Sequence, residues 1–125
     1  MKELILNRIT ILDINSKKIL FFDLSSCPAE EFKKLIEEFY NIIKKQKKKS
    51  VRLLIDLTGL DYIPTDVIYI NDRMKQVNSF LKCQAYVGLL GFKKVLWHIF
   101  KENLTIETKI FEKKDCALKW LAEYL

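Results

Sequence analysis

Hydrophobic residues recur along this chain with two different periods, and the two periods alternate. Apolar residues that follow one another or alternate with polar ones predict β-strands, whereas apolar stripes at spacings of three and four predict helices. The first two of the five strand-like segments are separated by Asn15 and Ser16 alone, which predicts a β-hairpin. The five segments are Arg8–Ile14, Lys17–Ser25, Val51–Leu57, Cys83–Leu90 and Thr105–Phe111.

Four other segments place apolar residues on one face of a helix. The first begins at Pro28, whose ring suits the first turn of a helix. The negative charge of Glu30 suits the positive end of the helix dipole. The second runs from about Pro64 to Leu81, and the third follows Gly91. The last occupies the segment DCALKWLAEYL.

The order of these segments, ββαβαβαβα, predicts an α/β fold. Strands that alternate with helices pair in parallel through right-handed crossovers, and the opening hairpin adds one antiparallel strand. We therefore expect one domain, residues 1–125, with a mixed, mostly parallel five-stranded sheet and four helices. If the crossovers step in one direction, every helix lies on the same face of the sheet. Leu54 and Tyr86 would then lie on a half-covered face and form a candidate interaction surface.

Composition agrees with an ordinary soluble domain. Hydrophobic residues make up 50% of the 125 positions and charged residues 30%. No apolar run reaches the roughly 20 residues that span a bilayer. Charges interrupt the apolar residues of the opening segment MKELILNRIT, unlike those of a signal peptide. A cytoplasmic location without a membrane span is the expectation.

The net charge of +6 first suggests a nucleic-acid partner, but the location of the charge favours another explanation. Five lysines between Lys44 and Lys49 carry most of it, so that the rest of the chain carries only +1. They end an amphipathic helical pattern, where cations suit the negative end of the helix dipole and a solvated loop. Binding to nucleic acid or to an acidic membrane is the less favoured interpretation.

Residues suited to catalysis or metal binding are scarce. Three cysteines without C-x-x-C spacing and one histidine oppose a disulfide framework and a zinc site. Cys83 and Cys116 are interpreted as small core residues. Asp23 and Asp56 end two strands that can lie side by side, but adjacency alone does not make a paired-carboxylate mechanism. We predict no catalytic residue, no metal and no cofactor.

A glycine-containing segment, GLLGFKK at residues 88–94, raises the question of anion binding. It lacks the spacing and the hydroxyl of a phosphate loop. A glycine that opens a helix with lysines in its first turn can still receive an anion, and parallel sheets bind ligands at the carboxyl ends of their strands. Tight packing of strand against helix explains the glycines equally well. The candidate ligand-binding residues are Asp56, Thr58, Gly88, Gly91, Lys93 and Lys94.

Three segments carry a resemblance to a known fold: LLIDLTGLDYIP, AYVGLLGFKKVL and IFEKKDCALKWL. The chain resembles the SpoIIAA-like fold of STAS domains, which include anti-sigma-factor antagonists and the tails of sulphate transporters. A more distant likeness is to CRAL-TRIO lipid-transfer domains, and a closer one is to small uncharacterised STAS-like proteins. The likeness spans most of the chain from Lys17 onward. It implies a fold and says little about activity.

The resemblance also points to a regulatory position. Anti-sigma-factor antagonists carry an Asp-Ser pair at the start of the helix after this strand, and the serine is their phosphorylation switch. Aligned on DLTGLDYI, the pair falls on Pro64 and Thr65. Thr65 keeps a hydroxyl, but Pro64 replaces the acid, and Asp66 would repel a phosphate. Thr65 is thus a candidate regulatory hydroxyl, with an ordinary helix start as the alternative.

Two functions from different classes remain. The first is a non-catalytic, STAS-like protein-interaction or regulatory module, with a second copy of the chain as one candidate partner. The alternative is a domain that binds an anionic or amphipathic small molecule at the carboxyl ends of the parallel strands. An enzyme ranks third, because the sequence shows no acid–base or nucleophile constellation.

Overall fold

The computed structural model describes residues 2–6, 8–60, 67–89 and 106–125, which form a six-stranded sheet with helices on both faces. The strands lie side by side in the order of the sequence. The first three pair antiparallel, and the third to the sixth pair in parallel. They are β1 (Lys2–Leu6), β2 (Ile9–Ile14), β3 (Lys17–Asp23), β4 (Val51–Asp56), β5 (Leu81–Val87) and β6 (Thr108–Phe111).

β1 corrects the predicted count, since the described residues form six strands and not five. The segment has only a short apolar run, Leu4 to Leu6, beside the charged Lys2 and Glu3. β1 is a short edge strand that pairs with a single neighbour. So short a segment shows little of the apolar alternation by which strands are recognised in a sequence. The antiparallel part of the sheet is therefore a three-stranded meander rather than a hairpin.

The predicted turn at Asn15 and Ser16 is confirmed. These two residues join β2 to β3, where Ile14 faces Lys17. Both have a positive φ, 52° and 65° respectively. Two consecutive residues in this conformation are what a two-residue turn between twisted antiparallel strands requires, and asparagine adopts it more readily than most residues. The predicted parallel pairing of the later strands is confirmed as well.

The described residues contain three helices, α1 (Ala29–Ile43), α2 (Val67–Val77) and α3 (Lys114–Glu123), and a 3₁₀ turn at Asn78–Phe80. α1 follows Pro28, as predicted, and buries most of its predicted apolar stripe. The third predicted helix, which follows Gly91 in the sequence, lies outside the described residues. None of the helices described is long and apolar enough to cross a membrane.

α1 and α2 cover one face of the sheet, and α3 covers the other. On the first face, the rings of Phe22 in β3 and Phe39 in α1 stack with centroids 4.2 Å apart. On the second face, Leu121 of α3 belongs to a buried cluster with Ile19 and Leu54. The prediction that every helix lies on one face is wrong for α3. β3 and β4 carry apolar side chains on both faces, so the second face also needs a cover.

Leu54 and Tyr86 do not form the predicted interaction surface, because both are buried and they lie on opposite faces. Leu54 is 0% exposed in the cluster beneath α3, whereas Tyr86 is 3% exposed in the cluster beneath α1 and α2. The register explains the error. Pairing of β4 with β5 shifts after Val51, so that Tyr86 faces Ile55. The side chain of Tyr86 therefore shares the sheet face of Ile55 and lies on the face opposite Leu54. Neither side chain is accessible to a partner.

A charged side chain, Arg52, fastens α3 to the sheet. It is 6% exposed, and its Nη1 donates to the carbonyl oxygens of Leu121 at 2.7 Å and Tyr124 at 2.6 Å. The last carbonyls of a helix lack partners inside the helix and carry partial negative charge, so a guanidinium is a well-matched donor. These bonds offset the cost of burying the charge of Arg52.

Replacement of Arg52 should therefore destabilise the fold. Arg52→Met leaves the carbonyls of Leu121 and Tyr124 without their charged donor, which should lower the free energy of unfolding by about 2–3 kcal/mol. Urea unfolding followed by circular dichroism measures the loss. The control Arg73→Met removes an ion pair to Glu37, 2.7 Å long between partly exposed side chains, and should cost under about 1 kcal/mol. Equal losses for the two variants would contradict the fastening role of Arg52.

Candidate functional site at the carboxyl ends of the strands

β3, β4 and β5 end side by side at one end of the sheet. Asp23 faces Asp56, and Asp56 faces Val87, so the loops that follow the three strands begin level with one another. Proteins with parallel sheets bind their ligands at this end. Thr58 and Gly88, two of the predicted ligand-binding residues, follow β4 and β5 here. We call residues 24–26, 57–59 and 88 the carboxyl platform.

Backbone hydrogen bonds continue the sheet into the carboxyl platform. The bonds join two of the loops to the neighbouring loop or strand end, with distances of 2.8–2.9 Å between nitrogen and oxygen: Leu24 N to Asp56 O, Ser26 N to Thr58 O and Leu57 N to Val87 O. Loops that follow parallel strands need not contact one another, whereas these are tied together. The loops after β3 and β4 consequently extend the sheet at residues 24–26 and 57–58.

The same short motif turns the chain after β3 and after β4. It reads Asp23-Leu24-Ser25 in the first loop and Asp56-Leu57-Thr58 in the second. In each, the aspartate Oδ1 accepts a hydrogen bond from the backbone N–H two residues later, at 2.9 Å. The Ser25 hydroxyl donates to the same Asp23 oxygen. Aspartate commonly shapes turns in this way, so both carboxylates serve the geometry of their loops.

Gly88 lies where the loop after β5 meets the loop after β4. Its φ is +86°, and a Cβ atom added to it would overlap the backbone nitrogen of Thr58 and lie 2.6 Å from its Cα. Only glycine combines this conformation with so close an approach. Close packing against Thr58 therefore explains this glycine, and the space between the two loops is filled at that point.

Arg8, which no sequence motif marks as functional, holds the loop after β3 from the other side. Its Nη1 donates to the carbonyl oxygen of Ser25 at 2.8 Å and to that of Asp23 at 3.2 Å. The carbonyl of Arg8 in turn accepts a bond from the Asp23 N–H at 2.8 Å. Arg8 lies between β1 and β2 with a φ of 71°, which is uncommon for a residue other than glycine.

Among the described residues, the charges around the carboxyl platform offer little to a free anion. Asp23 and Asp56 place two carboxylates on adjacent strands, and Nη1 of the nearby Arg8 already donates to two carbonyls. Ser26 and Thr58 are exposed beside them. Within the described ranges, no three side chains of His, Cys, Asp or Glu lie close enough together to hold a metal ion.

The predicted ligand-binding residues are brought together in part. Asp56, Thr58 and Gly88 converge at the carboxyl platform. The placement of the remaining candidates, including the regulatory hydroxyl, stays a prediction. These lie outside the described residues: Thr65, Gly91, Lys93 and Lys94.

Two of the three cysteines, Cys27 and Cys83, are buried, and Cys116 is exposed. The prediction of a core position is therefore confirmed for Cys83 and wrong for Cys116. The next residue, Ala117, belongs instead to the buried cluster between α3 and the sheet. Burial raises the pKa of the Cys83 thiol to about 11, although nearby Arg52 lowers it. This thiol therefore stays protonated at neutral pH. Burial also raises the pKa of the Tyr86 hydroxyl.

The sequence contains one signal for this arrangement. Asp-Leu followed by Ser or Thr occurs at the ends of two neighbouring strands, at Asp23 and at Asp56. Matching turn residues at level positions predict loops of matching shape. The position of Arg8 has no comparable signal, because it depends on β1, and that strand is not evident from its pattern.

Comparisons with known proteins identify the fold. No family model and no curated protein matches the chain. It is similar to the crystal structure of an uncharacterised protein from the DUF3478 family with a SpoIIAA-like fold, from Shewanella loihica PV-4. The TM-score is 0.61 at 23% identity, over 90% of this chain and 91% of that chain.

The chain is also similar to the structure of an anti-sigma-factor antagonist (STAS) domain protein from Planctomyces limnophilus. Here the TM-score is 0.60 at 12% identity, over 92% of this chain and 98% of that chain. The predicted SpoIIAA-like fold is thereby confirmed.

Substitution of Gly88 should be far more damaging than substitution of the neighbouring Gly59. Gly88→Ala strains a positive φ and drives a methyl group into the backbone of Thr58, which should cost about 2–4 kcal/mol of stability. Gly59 also has a positive φ, +77°, but its added Cβ would meet the side-chain Oγ of Ser26 at 2.5 Å. That hydroxyl can rotate away, so Gly59→Ala should cost about 1 kcal/mol. Urea unfolding of both variants measures the difference, and equal costs would show that the loops at Gly88 are not locked.

Proposed function

We propose that this chain is a non-catalytic, STAS-like regulatory module that binds a partner protein through the carboxyl platform. One observation carries the proposal: backbone hydrogen bonds join the loop after β3 to the loop after β4, and Gly88, at the end of β5, packs against Thr58, so that the described residues form a fixed surface. The fold supports it, since one similar structure is that of an anti-sigma-factor antagonist (STAS) domain protein.

A fixed surface suits protein binding for an entropic reason. A partner that docks on a pre-organised surface need not order its loops, and association then loses less conformational freedom. The bond from Ser26 N to Thr58 O and the contact between Thr58 and Gly88 pre-organise the platform. Leu24 and Leu60, 2% and 7% exposed, anchor the loops in the core from below.

The exposed part of the carboxyl platform is polar. The hydroxyls of Ser26 and Thr58 can each donate and accept hydrogen bonds, and the exposed Gly59, which follows Thr58, approaches Ser26. Such groups provide directional contacts to a partner without burying a charge. The carboxylates of Asp23 and Asp56 already accept backbone hydrogen bonds of their own loops.

Binding of a small anionic or amphipathic molecule, the alternative expected from the sequence, is less well supported. Ligand sites are concave, with polar groups that converge on the ligand. Here Gly88 packs against Thr58 where a crevice between the loops would open. The two carboxylates at Asp23 and Asp56 would also repel an anion.

The same two aspartates favour a non-catalytic role. General acid–base catalysis by a carboxyl pair needs side chains that reach the substrate with suitably different pKa values. Oδ1 of Asp23 and Oδ1 of Asp56 instead accept the N–H groups of Ser25 and Thr58. They act as turn residues in both loops.

Site-specific photo-crosslinking in cells tests the proposal. A benzophenone amino acid in place of Thr58 should form a discrete covalent adduct, because this side chain is exposed on the platform. The matched control carries the same amino acid in place of Asn41, which is exposed on α1. It should not form that adduct. Mass spectrometry then identifies the partner, including a second copy of the chain.

A second pair of variants excludes adventitious capture. With the crosslinker at Ser26, Thr58→Arg should abolish the adduct, and Asn41→Arg should leave it unchanged. Adducts of equal yield from the platform and from α1 would refute the proposed surface. A small molecule that copurifies with the unmodified chain in native mass spectrometry and is lost from Thr58→Arg would instead support ligand binding.

A further inference from the structure

Seven exposed lysines gather at the opposite end of the sheet from the carboxyl platform. Because the whole chain carries +6, the remaining residues together carry −1. We call these lysines the basic end: Lys17, Lys18, Lys44, Lys45, Lys47, Lys48 and Lys49.

The basic end is assembled from two segments that are distant in the sequence. The turn at Asn15 and Ser16 places Lys17 and Lys18 at the start of β3. β4 runs parallel to β3, with Ile19 facing Arg52, so the lysine-rich loop that precedes β4 arrives at the same end. The lysine run in the sequence is thus only part of a larger surface.

The two segments border the same cleft, and backbone hydrogen bonds hold the lysine-rich loop in place. A shallow cleft is lined by Lys18 from one segment and by Gln46 and Ser50 from the other. The N–H groups of Lys49 and Ser50 donate to the carbonyls of Ser79 and Phe80, at 2.9 and 3.1 Å, which holds the loop beside the start of β5. The lysines therefore project from an ordered part of the fold.

The helix dipole does not explain a cluster of this size. α1 ends at Ile43 with Lys44 as its C-cap, and the dipole acts within the last turn. The lysines from Lys47 onward and those of β3 lie beyond that reach. Asp13 faces Lys18 across the hairpin and offsets one charge. The remaining cations repel one another, and an anionic partner would remove this repulsion.

We propose that the basic end binds an anionic membrane surface. A membrane rich in anionic lipid attracts clustered lysines, each of which raises the partition coefficient on the order of fivefold. The lysines come from the start of β3 and from the segment between α1 and β4, at a single end of the sheet. Their flexible side chains can therefore contact a flat anionic surface together. This surface is opposite the carboxyl platform and does not depend on the function proposed for the platform.

The residue types favour a membrane over nucleic acid. Nucleic-acid sites that recognise bases combine arginines that read base edges with aromatic rings on which bases stack. The basic end consists of lysines, and the nearby ring of Tyr40 is already in contact with Lys44 Nζ at 4.4 Å and with the Arg73 guanidinium at 4.5 Å. Arg73 is itself paired with Glu37. A bilayer offers charge without base edges or stacking partners and needs neither feature.

Co-sedimentation with vesicles tests the proposal. The chain should bind vesicles of phosphatidylcholine mixed with phosphatidylserine and should not bind vesicles of phosphatidylcholine alone. Raising the salt from about 0.1 M to about 1 M shortens the screening length from roughly 10 Å to roughly 3 Å and should release it. Lack of preference for the anionic vesicles would overturn the proposal.

Charge-matched variants test the location of the surface. The triple variant Lys45→Gln/Lys47→Gln/Lys48→Gln should weaken binding on the order of a hundredfold, and Lys17→Gln/Lys18→Gln on the order of twentyfold. The control Lys34→Gln/Lys113→Gln/Lys119→Gln removes three exposed lysines elsewhere and should weaken binding only a few-fold. Circular dichroism checks that each variant is folded.

Two results would overturn the assignment to a membrane. An equal loss of vesicle binding in the two triple variants would show that net charge and not the basic end is responsible. Displacement of the chain from vesicles by duplex or single-stranded oligonucleotides at an equal phosphate concentration would indicate nucleic acid as the preferred partner.

Discussion

Sheet hydrogen bonding continues past the ends of β3 and β4, and the character of the carboxyl end depends on this continuation. The N–H groups of Leu24, Ser26 and Leu57 pair with carbonyls of the neighbouring loop or strand. Aspartates at the strand ends shape two of the loops, and Gly88 allows the third to approach them. Loops that converge in this way fill the position where loops of ligand-binding α/β proteins diverge to form a crevice. This arrangement supports the proposed surface for a partner protein.

The two ends of the parallel strands carry different chemistry. Paired aspartates and exposed hydroxyls surround the carboxyl ends, whereas lysines surround the amino ends of β3 and β4. Opposite ends of a sheet can be occupied at the same time. The two proposals together therefore describe a module that holds a partner protein on one side and a membrane on the other.

Local patterns predicted the elements of this fold well, and tertiary relations were harder to predict. The turn at Asn15 and the helix after Pro28 have strong local signals. The location of α3, by contrast, follows from the two apolar faces of β4, and a helix with one apolar stripe can cover either. Likewise, the register shift after Val51 that separates Leu54 from Tyr86 has no signature in either strand alone.

The candidate site shows the same division. Asp56, Thr58 and Gly88 were predictable because topology alone brings the carboxyl ends of parallel strands together. The role of Gly88 was not, since packing and ligand approach both favour glycine. Arg8 was not predicted because its position depends on an edge strand with little pattern. The basic end was not predicted because only strand pairing adds Lys17 and Lys18 to the lysine run.

The most direct test of the locked carboxyl end is amide hydrogen exchange measured by nuclear magnetic resonance. If the loops extend the sheet, the Ser26 and Leu57 amides should exchange nearly as slowly as those of β4, although Ser26 lies in an exposed loop. The amide of Lys48, in the exposed loop of the basic end, provides the fast reference. Exchange of Ser26 and Leu57 as fast as that of Lys48 would contradict a fixed surface at the carboxyl platform.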